Sequence, residues 1–202
     1  MYRILSITNR KICKNDFLYQ IEKIAMAKPY GIVLREKDLS ESEYEELAIK
    51  VLNICNEYKV MCILHTYVDV ALRLKHPNVH LPLHILKEQI IRNPQLLENF
   101  KVVGISTHSV EEALEAKKLG ATYITAGHIF KTDCKKGLEP RGLDYLRLTC
   151  SCVNIPVYAI GGINSRNIKV TKIAGASGAC IMSGLMTVQS PKEELKELTC
   201  NI

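Results

Sequence analysis

Residues 127–142 bring together side chains that could bind and transform an anionic ligand. The segment contains one histidine, His128, with hydroxyl, cationic and glycine residues: Thr132, Lys135, Lys136, Gly137, Arg141 and Gly142. Histidine gains or loses a proton near neutral pH, and hydroxyl, ammonium and guanidinium groups donate hydrogen bonds to anions. The glycines allow the backbone to bend around such a ligand. The segment therefore predicts an active-site loop, although a lone histidine can also be a packing residue.

A short apolar run, residues 123–126, precedes this loop and predicts the strand that positions it. The run reads Tyr-Ile-Thr-Ala, which is too short for a helix and rich in residues that favour β-structure. Gly127 then ends the strand, so His128 is expected at the carboxyl end of a buried strand. A histidine at that place is partly removed from water and still reaches a ligand.

Strand-like runs alternate with helical patterns along the whole chain. The predicted strands are residues 2–8, 31–34, 60–64, 79–81, 101–105, 123–126, 156–160 and 178–181. The helical patterns are residues 16–28, 40–58, 68–74, 83–92, 109–120, 143–150, 163–174, 182–188 and 191–198. This alternation favours parallel pairing, since each helix returns the chain to the same end of the sheet. The predicted fold class is α/β, a (β/α)8 TIM barrel that forms a single domain over residues 1–202.

An open doubly wound sheet is the alternative architecture. Its Gly-x-Gly-x-x-Gly fingerprint does not follow the first strand, which favours the closed barrel. Local signals predict where helices begin: Asp16 as an N-cap, and the capping boxes of Ser40 with Glu43 and of Ser109 with Glu112. The inward face of the second helix is predicted as Tyr44, Leu47, Val51 and Ile54.

Length and composition restrict the class of protein. The chain has 202 residues, a formal net charge of +6, and aromatic residues at 6% with no Trp. The modest charge excess suits an anionic small molecule, and the scarcity of aromatic side chains argues against a nucleic-acid partner. No apolar run approaches the roughly 20 residues of a membrane span, and no signal peptide is recognisable. We therefore expect a cytoplasmic enzyme without nucleic-acid or membrane partners, while a homo-oligomer stays open.

The loops that follow the strands of a barrel share one face, so distant polar residues are expected to converge there. These residues are Arg35, Lys37, His65, His80, Ser106, His108, His128 and Gly161. Some of these residues have a simpler explanation as ordinary solvated loop residues, because polar loop sequence starts where a strand ends. Gly161-Gly162 and Ser183-Gly184 follow strands seven and eight, where barrels frequently bind phosphate. A tight turn is the alternative reading of the glycine pair.

Neither a metal nor another cofactor is predicted. The sequence has 6 His but no His-x-His motif, and the expected carboxylate partners do not occur at the strand ends. The 8 Cys are scattered without a Cys-x-x-Cys pair, which predicts reduced thiols instead of a zinc site.

Six motifs together resemble the family of thiamine phosphate synthases and the related TenI proteins, over essentially the whole chain. They are Val-Leu-Arg-Glu-Lys at 33–37, Val-Asp-Val-Ala at 68–71, Val-His-Leu at 79–81, Gly-Ile-Ser-Thr-His-Ser at 104–109, Ala-Ile-Gly-Gly-Ile at 159–163 and Ile-Met-Ser-Gly at 181–184. The resemblance implies a (β/α)8 barrel, in agreement with the strand count.

Two departures separate this chain from the synthases. In that branch, an Asn-Asp pair after strand three and a second Asp after the Val-His-Leu motif hold Mg²⁺ on a pyrimidine pyrophosphate. Here the corresponding positions read His65-Thr66 and Pro82-Leu83-His84. Without these carboxylates a pyrophosphate leaving group lacks its metal bridge, so the synthase-type transferase reaction is not expected.

Residues 127–139 closely resemble TenI, whereas the synthases have Gly-Pro in place of Gly127-His128. The resemblance implies an isomerase, a thiazole tautomerase of thiamine biosynthesis that aromatises a thiazole carboxylate phosphate, with His128 as catalytic acid/base. The implied partner is this small-molecule thiazole phosphate. Substrate-binding residues are then Arg35, Lys37, Ser106, Thr132 and Lys135, and phosphate-binding residues are Gly161, Gly162, Ser183 and Gly184. Two alternatives stay open: a thiamine phosphate synthase, and a non-catalytic regulatory protein that binds thiazole phosphate.

Overall fold

Eight parallel strands form a closed barrel in the computed structural model, which describes residues 2–135, 137–200 and 202. The strands are β1 (Arg3–Ile7), β2 (Gly31–Leu34), β3 (Met61–His65), β4 (Asn78–Pro82), β5 (Val102–Thr107), β6 (Tyr123–Gly127), β7 (Val157–Ile160) and β8 (Gly178–Ile181). Each strand pairs with the next in chain order, and β8 closes the barrel on β1. The predicted (β/α)8 barrel is confirmed.

Helices surround the barrel and carry the chain back to the start of each following strand. They are α1 (Phe17–Met26), α2 (Glu41–Glu57), α3 (Val68–Arg73), α4 (Leu83–Arg92), α5 (Val110–Lys118), α6 (Gly142–Cys152), α7 (Ile168–Ile173), α8 (Ser183–Met186) and α9 (Pro191–Cys200). In the part of the chain that the structure describes, no helix has the length and apolar composition needed to cross a bilayer.

Strand side chains alternate between the helix layer and the barrel interior. On β1, Ile4 packs into the large core between strands and helices, whereas Leu5 and Ile7 point into the barrel. This alternation follows from the two-residue period of a strand. The interior cluster consists of Leu5, Ile7, Val33, Ile63, Tyr123, Tyr158 and Cys180. Burial of each large aliphatic side chain contributes about 1.5–3 kcal/mol, so the scaffold is stabilised largely by residues that perform no chemistry.

Helix caps occur at all three places that the sequence signals indicate, but only one of the two predicted capping boxes is complete. Asp16 Oδ1 accepts a hydrogen bond from the Tyr19 amide, and Ser40 forms the complete capping box with Glu43. At α5, Ser109 Oγ accepts from the Glu112 amide at 3.1 Å, but Glu112 Oε2 accepts from the amide of His108. The prediction of a second complete box is therefore wrong, because this carboxylate reaches one residue further back.

The buried stripe of α2 also differs from the prediction. Tyr44 and Val51 are buried as expected, but the other fully buried positions are Ala48 and Cys55. Leu47 and Ile54, which were predicted to face inwards, are only partly buried at the edge of the core. The smaller side chains thus lie nearest the barrel and allow the helix to approach closely, while the larger ones cover its flank.

Helix α7 begins five residues later than the predicted helix over residues 163–174. Asn167 Oδ1 accepts from the Asn164 amide and Asn164 Oδ1 accepts from the Arg166 amide, both at 2.9 Å. Asparagine side chains that capture nearby amides stabilise turns in competition with a helix. The apolar periodicity of this segment did not reveal that competition.

Candidate active site

A cavity of about 980 Å³ opens at the carboxyl ends of the strands. It brings together His65 and His108 with most of the residues predicted for the site: Arg35, Lys37, Ser106, His128, Thr132, Lys135, Gly161, Gly162 and Ser183. His80 and Gly184 were also expected there but do not line it. Residues more than 100 positions apart in the sequence therefore share one chamber, as expected for a barrel. The volume is at the upper end of the range for small-molecule sites.

Gly184 was predicted to bind phosphate, but the structure places it outside the cavity lining. A Cβ added there would lie 3.0 Å from Ile181 Cγ2 and 3.3 Å from Glu194 Oε1. The residue thus faces α9, where its small size accommodates the neighbouring helix. Ser183 beside it remains on the cavity wall.

Gly161 and Gly162 follow β7 and pack against the loop that carries His128. Both have positive φ, at +99° and +67°, a region that other residues rarely adopt. A Cβ on Gly161 would lie 2.8 Å from His128 Cα, and one on Gly162 would lie 2.8 Å from Phe130 Cβ. The Phe130 amide also donates to the Gly161 carbonyl at 3.0 Å. The glycine pair is therefore required by the close packing of the two loops.

Three cations project from the loops after β2 and β6: Arg35, Lys37 and Lys135. Partial burial, followed by the nearby charges of Arg35 and Lys135, lowers the pKa of the Lys37 amino group. Glu36 lies between Arg35 and Lys37 in the sequence, but its carboxylate does not face these cations. It is buried and accepts hydrogen bonds from Thr8 Oγ1 at 2.7 Å and from the Arg10 amide. This part of the rim is electropositive.

His128 lies at the start of the loop after β6 and is 9% exposed. Its carbonyl accepts from the Arg141 amide at 2.9 Å, which ties both ends of the loop together. Nδ1 of the neighbouring His108 donates to the Gly127 carbonyl at 3.0 Å. Nε2 of His128, by contrast, is buried and has no hydrogen-bond partner among the residues that the structure describes. Unsatisfied buried polar atoms are rare, and this one belongs to a residue that lines the cavity.

His80 was expected at the cavity with the other strand-end residues, but it lies beneath the cavity floor. Its ring contacts Tyr123 Oη at 2.8 Å and Ser106 Oγ at 2.9 Å, and it stacks on His65 with ring centroids 5.3 Å apart. Burial, with Lys37 and Arg35 nearby, lowers the pKa of His80 to about 3. Burial and the nearby His80, Lys37 and Arg35 also hold the pKa of His65 well below its usual value. Both imidazoles are therefore neutral near pH 7.

Tyr44 is a supporting residue whose role the sequence pattern did not reveal. Its hydroxyl donates to the Leu34 carbonyl at 2.7 Å and accepts from the His65 amide at 2.9 Å. The ring stacks on Tyr67 at a centroid distance of 4.1 Å. A helix residue thus connects the carboxyl ends of β2 and β3, and the loop that carries Arg35 starts from a rigid anchor.

The donor set at the rim does not fit the Mg²⁺ that the synthase branch uses. The carboxylates of the cavity lining are Glu88, Glu112 and Glu115. Glu112 is bound to the His108 amide, and Glu115 forms an ion pair with Lys87 at 2.7 Å. Among the described residues, no group of three or more His, Cys, Asp or Glu side chains could hold a metal ion. Mg²⁺ requires closely spaced oxygen ligands, which the side chains here do not offer.

Fold and site together define a (β/α)8-barrel protein with a chamber at the carboxyl face of its strands that several cationic side chains line. Comparison with known proteins then identifies the family of this barrel. The profile of the family described as thiamine monophosphate synthase matches residues 4–185, and the chain belongs to this family.

The names of individual relatives agree with this family. The thiamine-phosphate synthase of Clostridium acetobutylicum is 34% identical over 196 residues, covering 96% of this chain and 92% of the relative. The thiamine-phosphate synthase of Caldanaerobacter subterraneus is 37% identical, with coverages of 91% and 86%. Among solved structures, thiamine phosphate pyrophosphorylase from Pyrococcus furiosus superposes with a TM-score of 0.84 at 29% identity, over 98% of this chain and 94% of that one.

These relatives overturn the predicted activity. A TenI-type thiazole tautomerase, and hence an isomerase, was expected, but the full-length relatives are named as synthases, which are transferases. The predicted tautomerase activity depended on the loop at residues 127–139 and on the two aspartates that are missing after strands three and four. A loop sequence shows which donors are available, but it does not determine which bond of the substrate reacts.

Proposed function

We propose that the protein is a transferase of the thiamine-phosphate synthase type, which joins a pyrimidine pyrophosphate to a thiazole phosphate. The observation that carries this proposal is the single chamber of about 980 Å³ with polar groups at two parts of its rim. The cations lie after β2 and β6, and the glycine pair and Ser183 lie after β7 and β8. A chamber of this size has room for two phosphorylated heterocycles side by side.

The reaction exchanges one bond for another. The C–O bond between the pyrimidine methylene and the diphosphate breaks, and the diphosphate leaves with the electron pair. The thiazole ring nitrogen donates its lone pair to the same carbon, which forms the new C–N bond and a cationic thiazolium ring. No proton moves in this step, so its demand on the protein is stabilisation of the charge that develops on the diphosphate. Arg35, Lys37 and Lys135 supply that charge stabilisation.

The other site residues position the thiazole phosphate. Its phosphate lies against Gly161, Gly162 and Ser183, where backbone amides and a hydroxyl can donate. Ser106 and Thr132 donate to the ring substituents. His128 acts here as a ligand-binding residue, because it lines the chamber and the bond-forming step requires no general base.

Turnover with the two substrates tests the proposal. Purified protein is incubated with the pyrimidine pyrophosphate and the thiazole phosphate, once with Mg²⁺ and once with EDTA, and thiamine phosphate and pyrophosphate are quantified. Equal amounts of both products are expected in at least one condition. Arg35→Gln should lower the rate about tenfold or more, as expected for loss of a charged hydrogen bond. Lys50→Gln, on the exposed side of α2, is the matched control. Absence of both products in both conditions would refute the proposal.

A further inference from the structure

Apart from Glu88, the carboxylates named at the site have other partners. Glu112 accepts from the His108 amide, Glu115 pairs with Lys87, and Glu36 accepts from Thr8 and Arg10. The place at the end of β3 where the synthases have an Asn-Asp pair holds His65 and Thr66. The His65 ring is buried and contacts Thr66 Oγ1 at 2.6 Å. A neutral imidazole is a poor ligand for Mg²⁺, which prefers oxygen.

The cations of the rim, in contrast, have no carboxylate counter-ion among the described residues. Within residues 2–135, 137–200 and 202, neither Arg35 nor Lys37 nor Lys135 forms an ion pair with a carboxylate. Arg35 and Lys37 lie in the loop after β2 and Lys135 lies in the loop after β6, so the barrel brings like charges together across its mouth. Such an arrangement is unfavourable in the free protein and becomes favourable when a polyanion binds between the charges.

We propose that Arg35, Lys37 and Lys135 form a diphosphate site that works without a divalent metal ion. This inference rests on the proposed function, because it identifies how the transferase would hold its leaving group. Guanidinium and ammonium groups offer many N–H donors to phosphate oxygens. They replace the metal bridge as the source of positive charge, which accounts for a synthase relative without metal-binding aspartates.

Binding of inorganic pyrophosphate, measured by calorimetry without turnover, tests the site. Titrations are run in EDTA and in excess Mg²⁺ at constant ionic strength. Binding in EDTA should be at least as tight as in Mg²⁺. The metal ion reduces the negative charge of pyrophosphate, and the protein offers no side chains that coordinate the metal in return. Arg35→Gln, Lys37→Gln and Lys135→Gln should each weaken binding in EDTA about tenfold, the effect of losing one charged hydrogen bond. Melting temperatures verify that the variants fold, and Lys50→Gln should leave the dissociation constant unchanged.

The results separate this inference from the proposed function. Binding that is tenfold tighter in Mg²⁺, or that does not respond to the three substitutions, would overturn the metal-independent site. Thiamine phosphate formation that strictly requires Mg²⁺ would support the function and overturn the inference. Metal-independent pyrophosphate binding through the three cations, in a protein that forms no thiamine phosphate, would support the inference and refute the function.

Discussion

The imidazole Nε2 of His80 lies 2.9 Å from the hydroxyl oxygen of Ser106. Because Nδ1 of the same ring contacts Tyr123 Oη at 2.8 Å, three side chains form a continuous hydrogen-bonded row through the barrel interior. Ser106 lines the chamber, whereas His80 and Tyr123 are buried below it. The row therefore orients the hydroxyl of a chamber-lining residue from inside the scaffold.

His80 and His65 should make stability decrease in mild acid. Their pKa values are lowered in the folded protein, so the unfolded chain takes up protons below about pH 6.5 while the folded chain does not. For His80, with a folded-state pKa of about 3, this uptake costs about 1.4 kcal/mol of unfolding free energy between pH 7.5 and pH 5.5, and His65 acts in the same direction. Urea titrations at both pH values should show His80→Gln losing less stability on acidification than the wild type, while Lys50→Gln matches the wild type. Equal losses in all three proteins would contradict this interpretation.

Removal of the Tyr44 hydroxyl should destabilise the barrel. Tyr44→Phe leaves the buried His65 amide without its acceptor, at a cost of about 1–3 kcal/mol. For a chain of this length, each kcal/mol corresponds to a decrease of about 2–4 °C in Tm. Thermal unfolding of Tyr44→Phe is compared with Tyr19→Phe, whose ring is 54% exposed and which should melt like the wild type. A Tm unchanged in both variants would show that water replaces the missing hydroxyl.

Gly162→Ala should be more destabilising than Gly137→Ala, although both glycines have positive φ. The two variants share the conformational cost of about 1 kcal/mol for alanine in this region. At Gly162 the new Cβ also meets Phe130 Cβ at 2.8 Å and the Lys131 carbonyl, whereas at Gly137 nothing lies within 4 Å. Overpacking adds about 1–3 kcal/mol, measured as the difference between the two unfolding free energies. Equal losses would mean that the loop after β6 moves aside without cost.

His128→Phe should stabilise the ligand-free protein and weaken ligand binding. Phenylalanine keeps a flat ring and removes the buried Nε2 that lacks a partner, which should raise Tm by about 2–4 °C. Loss of a hydrogen bond to the ligand should raise the dissociation constant for thiazole phosphate about tenfold. Both quantities are measured on one preparation by thermal unfolding and calorimetry. A lower Tm with unchanged affinity would identify His128 as a packing residue.

Much of the scaffold could be predicted from the sequence alone. The strands β2 and β8 and the helix α4 have the predicted bounds, and the caps at Asp16 and Ser40 are where the sequence indicated. These features depend on side chains within a few residues of each other, so short sequence patterns are sufficient to predict them. The predicted convergence of strand-end residues also follows from connectivity alone, because parallel strands with helical crossovers must place their carboxyl ends on one face.

Contacts across the barrel could not be obtained in this way. His80 meets Tyr123 and Ser106 at separations of 43 and 26 residues, and no periodicity specifies such a meeting. The same holds for Gly162, whose small size is required by Phe130 from the preceding loop. The sequence by itself determined the order of strands and helices and the residue types at the mouth of the barrel. Only the tertiary structure decided which side chains lie under the floor, which carboxylates are already bound and which cations lack a counter-ion, because these depend on packing between segments that are distant in the chain.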